Sequence, residues 1–262
     1  MIKYWLIVVA VFAGVLVLAA CSSDEETAKE EQAELEKSLE TQPVQELYNA
    51  AMDLLQQKEW KAAKEAFEEV ERQHPYSQWA KRAQVMNAYA NYQKQDYEEA
   101  VAILDRFVRL YPGDERASYA YYLMALCHYE QISDVGRDQA QTNKALAALQ
   151  EIIRRFPDSD YARDATIKRD LTIDHLAGKE MEIGRYYLKR DETAAALKRF
   201  AKVVDEYQTT SHAAEALHRL VEIYLQLGVK EEAKRYAAVL GHNFPGSVWY
   251  KDSYKLLGKN KK

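Results

Sequence analysis

Cysteine is nearly missing from this chain: Cys21 and Cys127 are the only two among 262 residues, so no disulfide framework can hold a fold together. Glycine is scarce at nine residues, and the Asn-Gly and Asp-Gly pairs that turn β-hairpins are absent. Apolar residues recur at intervals of three and four rather than two, which excludes a sheet protein and predicts an all-α chain. The six histidines (His74, His128, His175, His212, His218 and His242) show no metal-ligand spacing, and no helix carries a His-Glu-x-x-His pair. His212 and His218 stand six apart, on different sides of a helix. No Gly-rich phosphate loop and no serine in a nucleophile elbow occur, and the carboxylates are spread so evenly that no acid and base pair stands out. These absences argue against an enzyme and against any metal or bound cofactor. The formal charge of −5, which becomes −6 once Lys3 is removed with the leading segment, argues against nucleic acid as a partner.

The N-terminus carries what the rest lacks, a long apolar run. After Lys3, residues Trp5 to Ala20 are uncharged and mostly aliphatic, short for a membrane span and suited to a signal peptide. The run ends Leu18-Ala19-Ala20-Cys21, a lipobox, in which small residues admit the signal peptidase and the Cys21 sulfur accepts a diacylglycerol. An ordinary secretory signal with an incidental Cys21 is the alternative. The lipobox predicts a signal peptide over residues 1–20 and a mature chain lipidated at Cys21, with S-diacylglycerol and N-acyl groups. Each buried CH₂ of those chains adds about 0.8 kcal/mol of anchoring. In bacterial lipoproteins the absence of Asp after the cysteine favours the outer membrane, with the body facing the periplasm. Cys127 is then left without an intramolecular partner and is expected to be a small buried apolar residue. Residues 21–42 are acidic, with Glu30, Glu31, Glu34, Glu36 and Glu40 outnumbering Lys29 and Lys37, and they predict a flexible tether or a transient charged helix.

The five prolines mark helix boundaries. Pro43 opens the first periodic segment, and His74-Pro75, Tyr111-Pro112, Phe156-Pro157 and Phe244-Pro245 each close a later one, followed within two residues by Ser or Asp as a cap. Tyr207-Gln208-Thr209-Thr210 is a further copy without proline. The spacings from Pro75 through Pro112, Pro157 and Gln208 to Pro245 are 37, 45, 51 and 37 residues. One apolar stripe recurs inside this frame: Ala63, Phe67 and Val70; Tyr97, Ala100, Leu104 and Phe107; Ala145, Leu149 and Ile152; Ala196, Phe200 and Val203; Ala233, Ala237 and Leu240. A small residue, a large one four on and an apolar one three further describe the second helix of an antiparallel pair, its alanine letting the first helix come close. The first helices carry their own small residues, as in Asn49-Ala50-Ala51 and Ile183-Gly184-Arg185.

This pattern resembles the tetratricopeptide repeat, which implies a right-handed superhelix of about five helix pairs over residues 43–250 (43–77, 78–114, 115–159, 160–210 and 211–250), followed by a basic C-terminal tail over 251–262. The third copy is interrupted at Gln131 to Gln141, expected to be a loop that either makes contacts or is simply solvated. The stretch Asp105-Arg106-Phe107-Val108-Arg109-Leu110-Tyr111-Pro112, the corner Pro75-Tyr76-Ser77-Gln78 and the helix end Arg185-Tyr186-Tyr187-Leu188-Lys189-Arg190, set behind a lipobox, are similar to the BamD (YfiO/ComL) lipoprotein family of the β-barrel assembly machine. The resemblance implies a periplasmic scaffold on the outer membrane that binds BamA, other lipoproteins of the machine and unfolded outer-membrane proteins.

By offset from the small residues, Tyr48, Tyr89, Tyr92, Tyr122 and Tyr129 are expected on the inner groove, either as interhelix packing or as rigid aromatic contacts. The family likeness implies that their ligand is the C-terminal strand of an unfolded barrel. It also implies that Arg190 and Arg199 of the basic fourth repeat meet the POTRA domain of BamA, the alternative being a solvated face balanced by Asp191 and Glu192. On that expectation Arg199→Glu detaches the partner without unfolding the repeat. The competing function is a repeat lipoprotein adaptor in cell-envelope or peptidoglycan organisation, for which a coiled coil or wall-binding domain is the missing sign.

Overall fold

The computed structural model describes residues 43–259. The signal peptide, Cys21 with its lipid, the tether over 21–42 and the end of the C-terminal tail lie outside the described residues. Within them the chain is all-helical, with eleven helices: α1 Val44–Gln56, α2 Trp60–Gln73, α3 Gln78–Gln93, α4 Tyr97–Leu110, α5 Ala117–Tyr129, α6 Ala140–Arg155, α7 Asp160–Lys189, α8 Thr193–Glu206, α9 Ala213–Gln226, α10 Lys230–Asn243 and α11 Val248–Lys259. Among the described residues no helix is long and apolar enough to cross a membrane.

Within the two units, α1/α2, α5/α6, α7/α8 and α9/α10 form antiparallel pairs of the tetratricopeptide kind, and local chemistry fixes the reversals. Four of the turns between successive helices are three residues long, and their middle residue is left-handed: Lys58 (φ 63°), Gln95 (φ 65°), Asp191 (φ 58°) and Gly228 (φ 75°). That conformation lets the following amide reach back to the last helical turn, as Glu59 N to Leu54 O (3.0 Å), Asp96 N to Asn91 O (2.9 Å), Glu192 N to Tyr187 O (3.0 Å) and Val229 N to Tyr224 O (2.9 Å). These six-to-one bonds are the Schellman closure of a helix C-terminus. Between pairs, serine caps the next helix: Ser77 Oγ accepts from Ala80 N, Ser159 Oγ from Ala162 N and Ser247 Oγ from Tyr250 N, at 3.0, 3.1 and 3.1 Å.

The described helices divide into two compact units, one through Ala90 and one from Asn91 onward. In the first, Phe67 and Val70 of α2 are sealed against Ala51 and Leu55 of α1 and Ala83 and Ala90 of α3. Burying a side chain such as Phe67 in full contributes about 1.5–3 kcal/mol. In the second unit α4 packs on α5, and the pairs α5/α6, α7/α8 and α9/α10 follow in series. The stripe residues Leu104 and Phe107, Leu149 and Ile152, and Phe200 and Val203 are fully buried at matching heights.

Three features depart from a regular array. The surplus residues of the fourth repeat extend a helix: α7 has 30 residues and runs about 45 Å at 1.5 Å per residue. Its first half packs with α5 and α6, and its second half with α8 and α9. Gly184 is required there, because a Cβ would lie 2.6 Å from the ring of the fully buried Phe200. The interruption of the third repeat, between Tyr129 and Ala140, lies back on α7: Lys179 Nζ donates to Gly136 O (2.9 Å), and the Val135 side chain sits over Gly178. It is a contact loop whose contact is this chain. The third departure corrects the expected basic tail, since residues 251–259 belong to α11. Trp249, Ser253 and Leu257 repeat at every fourth position and pack on α9 and α10, while Lys251 and Lys255 face water; the lysine count concealed an amphipathic helix.

Candidate functional site

The five tyrosines predicted for one groove divide between the units. Tyr48 lies in the first, its ring 5.7 Å from Phe67 and 5.0 Å from Trp79, and Tyr89 packs against the same core. Both are half-buried and serve helix packing. Tyr92, Tyr122 and Tyr129 belong to the second unit, where the ends of α3, α5 and the first half of α7 build one polar aromatic surface.

Tyr122 is its centre. Its hydroxyl donates to Asp164 Oδ2 at 2.5 Å, and its ring stacks on Tyr161 at 5.2 Å, with the Tyr119 ring 5.4 Å from that of Tyr161. Lys168 Nζ closes the set, 2.6 Å from Asp164 and 5.8 Å from the centre of the Tyr129 ring. Tyr92 donates to Glu130 at 3.5 Å, stands 5.8 Å from Tyr97 and is within electrostatic reach of Tyr122. Burial, followed by the hydrogen bond to Asp164, pushes the Tyr122 phenol above its ordinary range; burial and the Glu130 charge push Tyr92 up to about 12. The hydrogen bonds from Lys168 and then Tyr122 hold Asp164 below the usual carboxylate value. At neutral pH the surface therefore offers protonated phenols, ring faces and a compensated ion pair, which suits an extended peptide with aromatic side chains.

Sequence reading missed Tyr119, Tyr161, Asp164 and Lys168. The signal for Tyr161 was present, since it stands two residues after a capping serine, as Trp79 and Trp249 do. The other three become neighbours only because α5 lies beside α7.

The basic site is rearranged. Arg190 ends α7, exposed and bonded to Glu192 (2.9 Å), with its guanidinium 5.5 Å from the Tyr186 ring. Arg199 is turned inward: with Lys202 it holds Glu180, which is only 8% exposed, at 2.9 and 2.7 Å. Burial alone would raise Glu180, but the bonds and charges of Lys202 and Arg199 outweigh it and leave the carboxylate below its ordinary pKa. Arg190 and Glu180 are ten residues apart on α7, about 15 Å along the axis, so the two arginines form no common fork. Arg199→Glu would set a second carboxylate beside the nearly buried Glu180, so the change is expected to destabilise the repeat as well as to release a partner.

A serine and a histidine do meet: Ser253 Oγ lies 2.8 Å from His218 Nδ1, whose Nε2 is 3.3 Å from Glu222. Ser253 is fully buried between helices, so its hydroxyl fastens α11 to α9 and meets no substrate. Cys127 is likewise sealed, and burial pushes its thiol up to about 12.

A family model described as "YfiO: Outer membrane lipoprotein" matches residues 40–240. The chain is similar to the outer membrane protein assembly factor BamD of Caulobacter vibrioides, 54% identical over 84% of this chain and 72% of that protein, and to BamD of Rickettsia prowazekii, 47% identical over 82% and 86%. Among solved structures, a tetratricopeptide-repeat protein from Thermus thermophilus aligns over 82% of this chain and 98% of its own, with 18% identity and a TM-score of 0.39. The match across 201 residues and the identity to these relatives show that the chain belongs to the YfiO family of outer membrane lipoproteins.

Proposed function

We propose that this protein is an outer membrane protein assembly factor, a scaffold subunit of the β-barrel assembly machine, anchored by lipid on Cys21 in the outer membrane and facing the periplasm. The observation that carries the proposal is the identity of about half of all aligned residues with relatives bearing that name. In this role it works by holding polypeptides. The surface of Tyr92, Tyr122, Tyr129, Tyr161 and Asp164 receives the C-terminal strand of an unfolded outer-membrane protein, its aromatic residues on the ring faces and its backbone on the phenols. Arg190, exposed at the end of α7, meets the POTRA domain of the barrel subunit, and other lipoproteins of the machine join the same body.

Depletion of the protein is expected to lower outer-membrane porins before cell shape or division changes. A photocrosslinker at Tyr122 is expected to capture a nascent barrel peptide, with one at the exposed Lys198 as control. Early chaining with normal porin levels would overturn the assembly role, and equal capture at the two positions would overturn the groove. Arg190→Glu tests the partner contact, since it leaves Glu180 paired; co-purification of the barrel subunit at wild-type yield would place that contact elsewhere.

A further inference from the structure

Among the described residues, the C-terminal end of the second unit holds a repeat position that no helix fills. α11 begins as the first helices of repeats two and four do, with a capping serine and an aromatic residue two positions on: Ser77 and Trp79, Ser159 and Tyr161, Ser247 and Trp249. Like a first helix, it packs on both helices of the preceding pair, α9 and α10. No second helix accompanies it among the described residues. In its stead α10 and α11 frame an open groove of about 840 Å³.

Both walls correspond to surfaces that are covered one repeat earlier. Shifting by 37 residues, the spacing from Gln208 to Pro245, brings Leu197, Ala201 and Val204 of α8 onto Lys234, Ala238 and Gly241 of α10. The α8 residues and Tyr236 of α10 are half-buried against one shared core, and the α10 residues line the groove. The same shift brings Leu217 and Val221 of α9, buried under α10, onto Tyr254 and Gly258 of α11, which line the opposite wall. Leu217 is 2% exposed and Tyr254 is 70% exposed. Each wall presents residues at helical spacing, with Ala238 and Gly258 leaving room for a close approach, while the Tyr250 ring of α11 already covers Gly241. The lining includes Lys230 and Lys234 and no carboxylate, although Lys234 Nζ lies 2.6 Å from Glu231 on the exposed side of α10.

We propose that this groove receives one amphipathic α-helix from another polypeptide, which takes the place of the second helix of a sixth pair. The helix it fits has a small residue, an apolar one four positions on and another apolar one three further, the pattern shared by every second helix here, together with an acidic residue toward Lys234. This assignment stands apart from the tyrosine surface and does not depend on what that surface holds.

The probe is a fluorescent, hydrocarbon-stapled peptide copying residues 230–243, which carries Tyr236 and two N-terminal glutamates, titrated by anisotropy against the full-length lipoprotein in detergent. Saturable binding is expected. Ala238→Arg and Gly258→Arg are each expected to weaken it by about tenfold or more, and Lys198→Glu on exposed α8 to leave it unchanged. Tyr254→Ser, at a side chain already in water, guards against misfolding of the arginine variants and is expected to weaken binding with an unchanged melt. No saturable binding, equal binding of a scrambled peptide, or indifference to all three groove substitutions would overturn the proposal. So would a dimer in light scattering that Ala238→Arg dissociates, which would make a second copy of this chain the occupant.

Discussion

Arg199→Glu is expected to destabilise the centre of the second unit rather than merely release a partner. Glu180 is nearly dry and is held by Arg199 at 2.9 Å and Lys202 at 2.7 Å. Two unit charges 4 Å apart interact by about 4 kcal/mol at an effective dielectric constant near 20, so turning attraction into repulsion changes the gross term by roughly twice that. The side chains of Arg199 and Lys202 are 39% and 38% exposed, so water screens much of it and the new glutamate can turn outward. A net loss of about 2–4 kcal/mol remains, or roughly 5–15 °C in melting temperature for a body of this size. Arg199→Gln, which leaves Lys202 in place, is expected to cost about 1 kcal/mol. Urea denaturation with amide exchange read over α7 and α8 measures both. The sign with pH follows from the depressed Glu180 pKa: its stabilisation is present above the unfolded carboxylate value and is lost as pH falls through the lower folded value. Glu180→Gln should therefore be less stable than wild type at neutral pH and converge with it in acid. An Arg199→Glu midpoint equal to wild type, or a constant offset between Glu180→Gln and wild type down to acid pH, would refute this reasoning.

Other expectations follow from packing and backbone geometry. Gly184→Ala should lose about 1–3 kcal/mol in thermal melts because its methyl group meets the Phe200 ring, whereas Gly246→Ala, with nothing within 4 Å, should be neutral. Gln95→Gly should stabilise by up to about 1 kcal/mol and Gly228→Ala destabilise by a similar amount, since both positions are left-handed. Native Cys127 should resist a thiol reagent at pH 8 and react at the rate of unfolding, because its thiol is buried and its pKa is pushed up to about 12; fast labelling of the folded protein would contradict the sealed position.

Much of the fold was legible because its determinants are local. Helical period, proline after an aromatic residue, serine at the cap and a small-large-apolar stripe are properties of neighbouring residues, and they specify helix pairs without reference to distant parts of the chain. The left-handed turn residues were hidden because only Gly228 among the four is glycine, and Lys58, Gln95 and Asp191 carry no comparable mark. The length of α7 was hidden because no residue between Asp160 and Lys189 forbids a helix, and Gly178 and Gly184 mark close approaches of other elements instead of ends.

The candidate sites depended on tertiary contacts. Composition could count the tyrosines of the early repeats, but only the placement of α5 beside α7 set Tyr122 against Asp164 and left Tyr48 and Tyr89 to packing. Charge could pick out Arg190 and Arg199, but the depth of Glu180 sent one outward and the other inward. Sequence alone determined the repeating unit, since helix pairing is written into short-range patterns; which side chains face water, one another or a groove was decided in three dimensions, where residues tens of positions apart share one surface.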